Sequence, residues 1–410
     1  MSMLSDRIIV CVASDWFYDP TSKHHLMRLL SRRNDVLWIN YHASRRPSAN
    51  AADLGRAMHK LRQVARGPRR ALPRLTVLTP LVLPIPGSGW ARRINRALLV
   101  RQLRSALASL PRRPIQIWSF APDVAWLRGA LGEERFIYYC VDEFSEFAGY
   151  DREAIRAAEA DILRAADAVV TTSAALFEAR RRLHPRTALV PHGVDFDHFA
   201  GCDFARVPDD VADLKGPVLG FFGLIAEWVD VELLADVARA RPDWTLVLIG
   251  DARTDVRSLA SRPNVRLLGR RAYETLPGYC ARFDAAMVPF HINRLTRAVN
   301  PIKLREYLAA GLPVCGTPLP EIERYRGLVE IGEGPVGFAQ ACERALASHD
   351  AESRGRRRAA VAGESWQARL ATLSEFLGST TTPSASSPDG RAAAPAARGG
   401  LTATVSAAAQ

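Results

Sequence analysis

The sequence predicts an α/β protein with two parallel sheets, and three observations carry that expectation. Short β-branched runs alternate with helical stretches through the first half of the chain, and the plan then repeats. A length of 410 residues suits two domains of ordinary size. Hydrophobic residues make up 48% and charged residues 24%, enough apolar surface for two cores and unlike a disordered chain.

Strands are predicted at 8–13, 36–40, 75–78, 115–119, 136–141, 168–172 and 188–190, with helices at 90–110 and 152–166 between them. In the second half strands fall at 217–222, 245–250, 265–268, 285–289 and 313–316, and helices at 231–239, 301–310 and 336–348. The polar stretch 196–215, with Pro208 and then Gly216, marks the boundary. Residues 379–410 are rich in Ala, Ser, Thr, Pro and Gly, carry no aromatic residue and hold three charges. Such a segment buries too little to order itself, so a disordered tail is expected.

Several classes are excluded. No run of 18 apolar residues is present, and the N-terminus lacks a signal-peptide pattern. The six cysteines (Cys11, Cys140, Cys202, Cys280, Cys315 and Cys342) are scattered without C-x-x-C spacing. That argues against zinc sites and a disulfide framework and for a reducing cytoplasm. Ala13-Ser14-Asp15-Trp16-Phe17-Tyr18 follows the first strand without a glycine, so the dinucleotide fingerprint is absent, as is a Walker A sequence.

The charge is localised. Between Arg45 and Arg113 stand sixteen Lys/Arg and one acid, Asp53, a net +15 that exceeds the +12 of the whole chain. Such a patch implies an anionic partner: nucleic acid, anionic lipid or a phosphorylated substrate. Residues 80–90 hold three prolines among apolar side chains and lead into a helix. There Trp90, Ile94, Leu98, Leu103 and Leu107 alternate with Arg92, Arg93, Arg96, Arg101 and Arg104. That is the composition of an interfacial basic helix, or of a core helix with a solvated Arg face.

The most informative segment is Val299-Asn300-Pro301-Ile302-Lys303-Leu304-Arg305-Glu306-Tyr307-Leu308-Ala309-Ala310-Gly311-Leu312-Pro313-Val314. Asn300 can cap a helix, Pro301 suits its first turn and Gly311 its stop. Lys303 beside the free first-turn N–H groups makes an anion site. Glu306 follows on the same face, placed to accept from hydroxyls. Phosphate beside hydroxyls is the shape of a nucleotide-sugar, although a weak surface Lys–Glu pair would use the same spacing.

The pattern P-x-K-x-x-E-Y-x-A-x-G-x-P-V, preceded by Val288-Pro289-Phe290, resembles the donor-site helix of GT-B glycosyltransferases. It is most similar to bacterial family-four-like enzymes of exopolysaccharide and teichuronic acid synthesis, and also to the glucuronosyltransferase of xanthan synthesis. Pro191-His192-Gly193-Val194-Asp195, residues 220–228, Tyr139-Cys140-Val141-Asp142-Glu143-Phe144 and Ser365-Trp366-Gln367-Ala368-Arg369 match further motifs in the same order, so the resemblance spans roughly 6–377. It implies two Rossmann-like domains facing a cleft: an acceptor domain at 1–200 and a nucleotide-sugar domain at 201–360. A helix at 361–378 would cross back to the first domain.

The resemblance also implies the site. Gly223, Glu227, Arg270, Phe290, Asn300, Pro301, Lys303 and Glu306 would bind the donor, with the loop at Arg270 meeting the nucleobase. Two departures stand out. The first Glu of the usual E-x7-E is Ala298, and the loop after the first C-terminal strand carries Glu227 and Asp230 in place of a basic pair. Diphosphate neutralisation then falls on Lys303 and the helix N-terminus. Asp142, at the carboxyl end of strand 136–141, matches the general base, a role that implies inversion, whereas the wider family implies retention. Asp142 could equally be an Asx-turn carboxylate. Glu143 and Glu146 are rival bases. Asp15, His24 and His25 could line the acceptor side. Glu227 could serve the sugar or a helix N-terminus, and His192 reads more as a structural residue than a catalytic one.

The expected activity is transfer of a sugar from a nucleotide-sugar, UDP-linked by expectation, to a lipid-diphosphate-linked saccharide in cell-surface polysaccharide synthesis. No cofactor and no metal are expected, since Lys303 and a helix dipole can stabilise the leaving diphosphate and the C-terminal half lacks D-x-D. Trp90, Arg92, Arg93 and Arg96 would hold the acceptor or an anionic membrane at the cytoplasmic face. Two alternatives remain: a nucleotide-sugar 2-epimerase on the same architecture, and a basic nucleic-acid-binding protein. The last lacks interleaved aromatics or a nucleic-acid module.

Overall fold

The computed structural model describes residues 4–41, 64, 67–81, 89–348 and 350–379. The first sheet has eight strands: β1 (Ile8–Ala13), β2 (Asp35–Asn40), β3 (Arg69–Leu72), β4 (Leu75–Leu78), β5 (Ile115–Ser119), β6 (Arg135–Cys140), β7 (Ala168–Thr171) and β8 (Thr187–Leu189). Their order is β3-β4-β2-β1-β5-β6-β7-β8. The strands pair in parallel except β3, which runs antiparallel to β4 at the edge. The second sheet is wholly parallel, ordered β11-β10-β9-β12-β13-β14. Its strands are β9 (Val218–Phe222), β10 (Thr245–Ile249), β11 (Val265–Gly269), β12 (Ala285–Val288), β13 (Val314–Gly316) and β14 (Val329–Ile331).

The strands read as apolar runs because helices cover both faces of each sheet. Every residue of β1 is buried. The edge strands depart from this: β3 exposes Arg69 and Arg70 and β11 exposes Arg266, the kind of charge that keeps an edge from pairing further. The Arg-Arg-Ala-Leu sequence of β3 lacks the apolar run that signals a strand, and β14 has only three residues with Glu330 at its centre, so neither is among the expected strands.

The helices that position the site are α1 (Ser22–Leu30), α2 (Gly89–Ala108), α3 (Arg152–Ala165), α4 (Ala174–Arg180), α5 (Val231–Ala240), α6 (Ile302–Ala310), α7 (Gly334–Ala347), α8 (Ala351–Val361) and α9 (Trp366–Gly378). Side chains of Asp151, Ser173 and Asp230 cap α3, α4 and α5, each accepting from the third backbone N–H beyond.

Val190 belongs to the core of the first sheet, and Val194 and Phe199 already belong to that of the second. The chain crosses back at its end. Trp366, Leu373 and Leu377 of α9 pack with Leu26 and Leu30 of α1 in the first core. Glu364, just ahead of α9, pairs with Arg305 of α6 at 2.5 Å and with Arg369 of α9 at 3.0 Å, which ties the crossing helix to the C-terminal half. Of the tail expected at 379–410, all but Ser379 lies outside the described residues, as does most of 42–66 and of 80–90. Among the described residues no helix is long and apolar enough to cross a membrane.

Candidate functional site

The carboxyl ends of β1 and β6 face those of β9 and β12 across a cleft of about 390 Å³. In open α/β sheets that end of the strands is where ligands sit.

The C-terminal wall is built on α6 and the turn after β9. Gly223 has φ +126°, and a Cβ there would lie 2.9 Å from Lys303 Cε and 3.2 Å from its Nζ. The positive φ favours glycine, and a side chain there would displace the end of Lys303. Lys303 stands in the first turn of α6, its ammonium 5.2 Å from the Phe221 ring centre and 4.9 Å from that of Phe290. Among the described residues it makes no hydrogen bond or ion pair. Burial pulls its pKa down to about 8, against the nearby Glu306 charge, which holds it up. Burial pushes Glu306 up to about 7, opposed by Lys303. The Phe222 N–H donates to Tyr307 Oη at 2.9 Å, and Gly311 ends the helix at φ +79°, so α6 is tied to β9 through its middle and stopped at its C-terminus.

The N-terminal wall brings Asp142, just past β6, opposite that helix. Among the described residues its carboxylate has no hydrogen-bond partner. Burial raises it to about 7, Lys23 of α1 working against that rise and Glu143 adding to it. Behind the loop lies a buried ion network. Arg180 forms a bidentate bond to Glu159, with Nη2 at 2.9 and 2.8 Å from its two oxygens, and reaches Glu143 at 2.6 Å. Tyr138 of β6 donates to Glu159 at 2.8 Å and Ser145 to Glu143 at 2.9 Å. Glu143 is held below the usual carboxylate range: burial, which raises it, is outweighed by the bond and charge of Arg180. Glu146 pairs with Arg152 at 2.5 Å. Of the three carboxylates in this loop, only Asp142 is left facing the cleft.

The walls meet at the mouth. Tyr18 Oη donates to Asp251 at 2.5 Å, and Arg270 donates to Asp19 at 2.7 Å while lying 4.9 Å from the Tyr18 ring centre. Deeper, Ser173 Oγ donates to the Ala298 carbonyl at 2.6 Å.

Of the residues singled out in the sequence, Gly223, Arg270, Phe290, Asn300, Pro301, Lys303, Glu306, His192 and Asp142 line the cleft. Several do something other than expected. Pro301, not Asn300, is the N-cap of α6 and offers no side-chain cap. The Asn300 amide instead donates to the Thr172 carbonyl at 2.8 Å and to Glu321 at 2.9 Å, and its oxygen accepts from Arg305 at 2.6 Å. It stitches the two halves together. The Arg270 side chain bridges to Asp19 across the mouth.

Glu227 is exposed and outside the cleft lining, where Trp228 stands instead. His24 is buried between the rings of Trp16 and Trp38, at 5.2 and 4.8 Å, and burial holds it neutral with a pKa of about 3. His25 stacks on Trp366 at 5.0 Å. Asp15 accepts from the Phe17 N–H and Asn40 and does not reach the cleft. Helix phase explains these misses: in α1, residues 24 and 25 turn inward while Lys23 turns to the cleft. Lys23 carries no motif, and its place at the start of the first helix after β1 was the available signal.

The basic helix is a separate surface. α2 buries Ala91, Leu99 and Leu103 and exposes Trp90, Ile94, Arg93, Arg96, Arg101 and Arg104. Trp90 is 57% and Ile94 41% exposed. Arg96 lies over the Trp126 ring at 5.2 Å. The Arg92 side chain falls outside what is described. None of these lines the cleft. Among the described residues no group of three or more His, Cys, Asp or Glu could hold a metal ion.

Comparison with known proteins bears on this geometry. Residues 216–348 match the family of glycosyl transferases group 1. Over 283 residues the chain is 27% identical to TuaH of Bacillus subtilis, a putative teichuronic acid biosynthesis glycosyltransferase, covering 64% of this chain and 71% of the relative. Sucrose-phosphate synthase from Thermosynechococcus elongatus shares the fold at TM-score 0.64 and 16% identity, over 90% of this chain and 98% of that one. HepE of Anabaena, in complex with UDP and glucose, does so at TM-score 0.62 and 16% identity, over 90% and 99%. The fold of these structures is GT-B, two Rossmann-like domains about a cleft, and the present chain shares it.

Proposed function

We propose that this chain, a GT-B glycosyltransferase whose residues 216–348 form a group 1 domain, moves a sugar from a UDP-sugar to a lipid-linked saccharide in cell-surface polysaccharide synthesis. The observation that carries the reading is the opposition, across one cleft, of Lys303 and Glu306 on α6 and of Asp142 at the end of β6. The UDP assignment rests on the complex of HepE with UDP and glucose, and the polysaccharide on the name of the TuaH relative.

The chemistry follows from the residues. The donor diphosphate lies against Lys303 and the first-turn N–H groups of α6, which carry no side-chain cap. Glu306, next to it, accepts from hydroxyls of the nucleotide-sugar. The acceptor hydroxyl oxygen attacks the anomeric carbon, its proton passes to Asp142, and the bond from that carbon to the diphosphate oxygen breaks. The charge that develops on the leaving nucleoside diphosphate is met by the Lys303 ammonium, without a metal. With Asp142 as base, the product is inverted at the anomeric carbon. The exposed face of α2 fits an anionic membrane that presents the acceptor, at about 1 kcal/mol for each Lys or Arg near the leaflet.

The test is thermal stabilisation by UDP, GDP, ADP and dTDP, with Lys303→Ala alongside. A ligand of the folded state at 100 times its Kd adds about 2.7 kcal/mol. UDP should stabilise the wild type and not the variant, and no shift with any nucleotide would overturn the reading.

A further inference from the structure

The cleft holds two lysines in matching positions. Lys303 is the second residue of α6 after its N-cap Pro301, and Lys23 is the second residue of α1 after its N-cap Thr21. Both helices are nine residues long and both begin at the cleft, one on each wall. A cation in the first turn is opposed by the helix dipole, and burial opposes it further. Burial lowers the pKa of Lys23, with Asp142 and then Cys11 acting in the other direction. Two lysines are thus placed where the protein without ligand gains least from them.

The other cations of the cleft are already committed. Arg270 pairs with Asp19 at 2.7 Å and Arg271 with Asp210 at 2.8 Å. Among the described residues Lys23 makes no hydrogen bond and no ion pair. The Cys11 thiol beside it is held neutral by burial. Asp142, whose charge favours the ammonium, lies beyond ion-pair distance. In the reading above the donor diphosphate uses Lys303, on the far wall, and that leaves Lys23 unclaimed.

We propose that Lys23 is a specificity-determining cation: it takes a second oxyanion, a carboxylate or a phosphate, that the substrates bring to the N-terminal wall beside Asp142. The inference rests on the glycosyltransferase reading and extends it from the donor's diphosphate to the remainder of the substrates. The oxyanion has two possible sources, the transferred sugar itself, as in a uronic acid, or a phosphate on the acceptor. Both place a negative charge against α1 and leave the Asp142 carboxylate free for the acceptor hydroxyl.

The experiment titrates wild type, Lys23→Gln and Lys23→Arg with four probes: UDP, UDP-glucose, UDP-glucuronate, and inorganic phosphate added to protein saturated with UDP-glucose. UDP should bind wild type and Lys23→Gln within about twofold of each other. A carboxylate on the sugar should appear as a preference of about tenfold for UDP-glucuronate over UDP-glucose, lost in Lys23→Gln and kept in part by Lys23→Arg. An acceptor phosphate should appear instead as equal binding of the two donors, with inorganic phosphate binding about tenfold tighter to wild type than to Lys23→Gln.

Lys23→Gln without ligand should melt no lower than wild type, because it removes an uncompensated cation. If neither oxyanion depends on Lys23, or if Lys23→Gln weakens UDP itself as Lys303→Ala does, the proposal is overturned. If wild type binds no UDP, the nucleotide-sugar reading fails, while phosphate titrated into ligand-free protein still tests Lys23.

Discussion

The two walls of the cleft carry similar charges on unlike supports. On the C-terminal wall Lys303 is held by packing: two aromatic rings, a glycine with no Cβ to displace it, and a helix pinned by Tyr307. On the N-terminal wall Asp142 is held by ions: its neighbour Glu143 is clamped by Arg180, which is in turn fixed to Glu159. One wall carries its charged groups on a single helix, α6, and the other assembles α1, β6, α3 and α4. A packed wall fails by steric insult and an ionic one by loss of charge balance, so substitutions should separate them.

The largest effect is expected at Asp142. Asp142→Asn should lower sugar transfer by about 10²–10⁴-fold, the usual contribution of a positioned base. UDP-induced stabilisation should persist, because the donor wall is untouched. Loss of both would place Asp142 in the donor site and dissolve the division between the walls.

Next come the supports. Arg180→Leu leaves Glu143 and Glu159 without their shared cation and should cost about 3–5 kcal/mol in urea unfolding, as for a broken buried pair. Gly223→Ala should cost less, about 1–3 kcal/mol, for the strain at φ +126°. Its larger consequence should be weak UDP binding, since the new Cβ takes the space of the Lys303 side chain. If Arg180→Leu weakened UDP binding as much as Gly223→Ala, the walls would not be independent.

The same contrast explains what the sequence could tell. The C-terminal wall was legible because its chemistry lies in one stretch, 299–314, whose proline, lysine, glutamate and glycine have fixed places on one helix. Even there Asn300 was misread: its partners Thr172, Glu321 and Arg305 include residues far off in the chain, and no local spacing reports them. The parallel strands were legible because burial on both faces makes each an apolar run. On the N-terminal wall Asp142 could be placed at a strand end, but not its isolation from Glu143 and Glu146, which depends on arginines up to 37 residues away. Lys23 and His24 are adjacent, and choosing between them needs the phase of α1 against Trp16 and Trp38, a tertiary fact.

Ionisation sharpens the comparison further. Asp142 rises to about 7, so the proposed base becomes ionised, and the transfer rate should grow, as pH passes upward through that value. Lys303 falls to about 8, so its charge, and with it diphosphate binding, fades above that pH. The sign is opposite on the two walls, and kcat/KM should peak between the limbs. Lys303→Arg keeps its charge at all these pH values. It should move the alkaline limb out of range while leaving the acid limb in place. A pH profile that kept its alkaline limb in this variant would assign that limb to another group.

The smallest effect belongs to the mouth, where the walls touch. Arg270 is 44% and Asp19 36% exposed in their side chains, and a pair so wetted contributes little, about 0–1 kcal/mol. Arg270→Ala should therefore barely change unfolding in urea. Its guanidinium nonetheless spans the entrance from the C-terminal loop to Asp19 and the Tyr18 ring, beside the direct bond from Tyr18 to Asp251. Domain closure that excludes water from the cleft would strengthen these contacts. Removing Arg270 should thus raise KM for the nucleotide-sugar a few-fold with stability unchanged. A stability loss above about 1 kcal/mol would mean that the mouth is a structural joint between the halves. An unchanged KM would mean that the walls close without it.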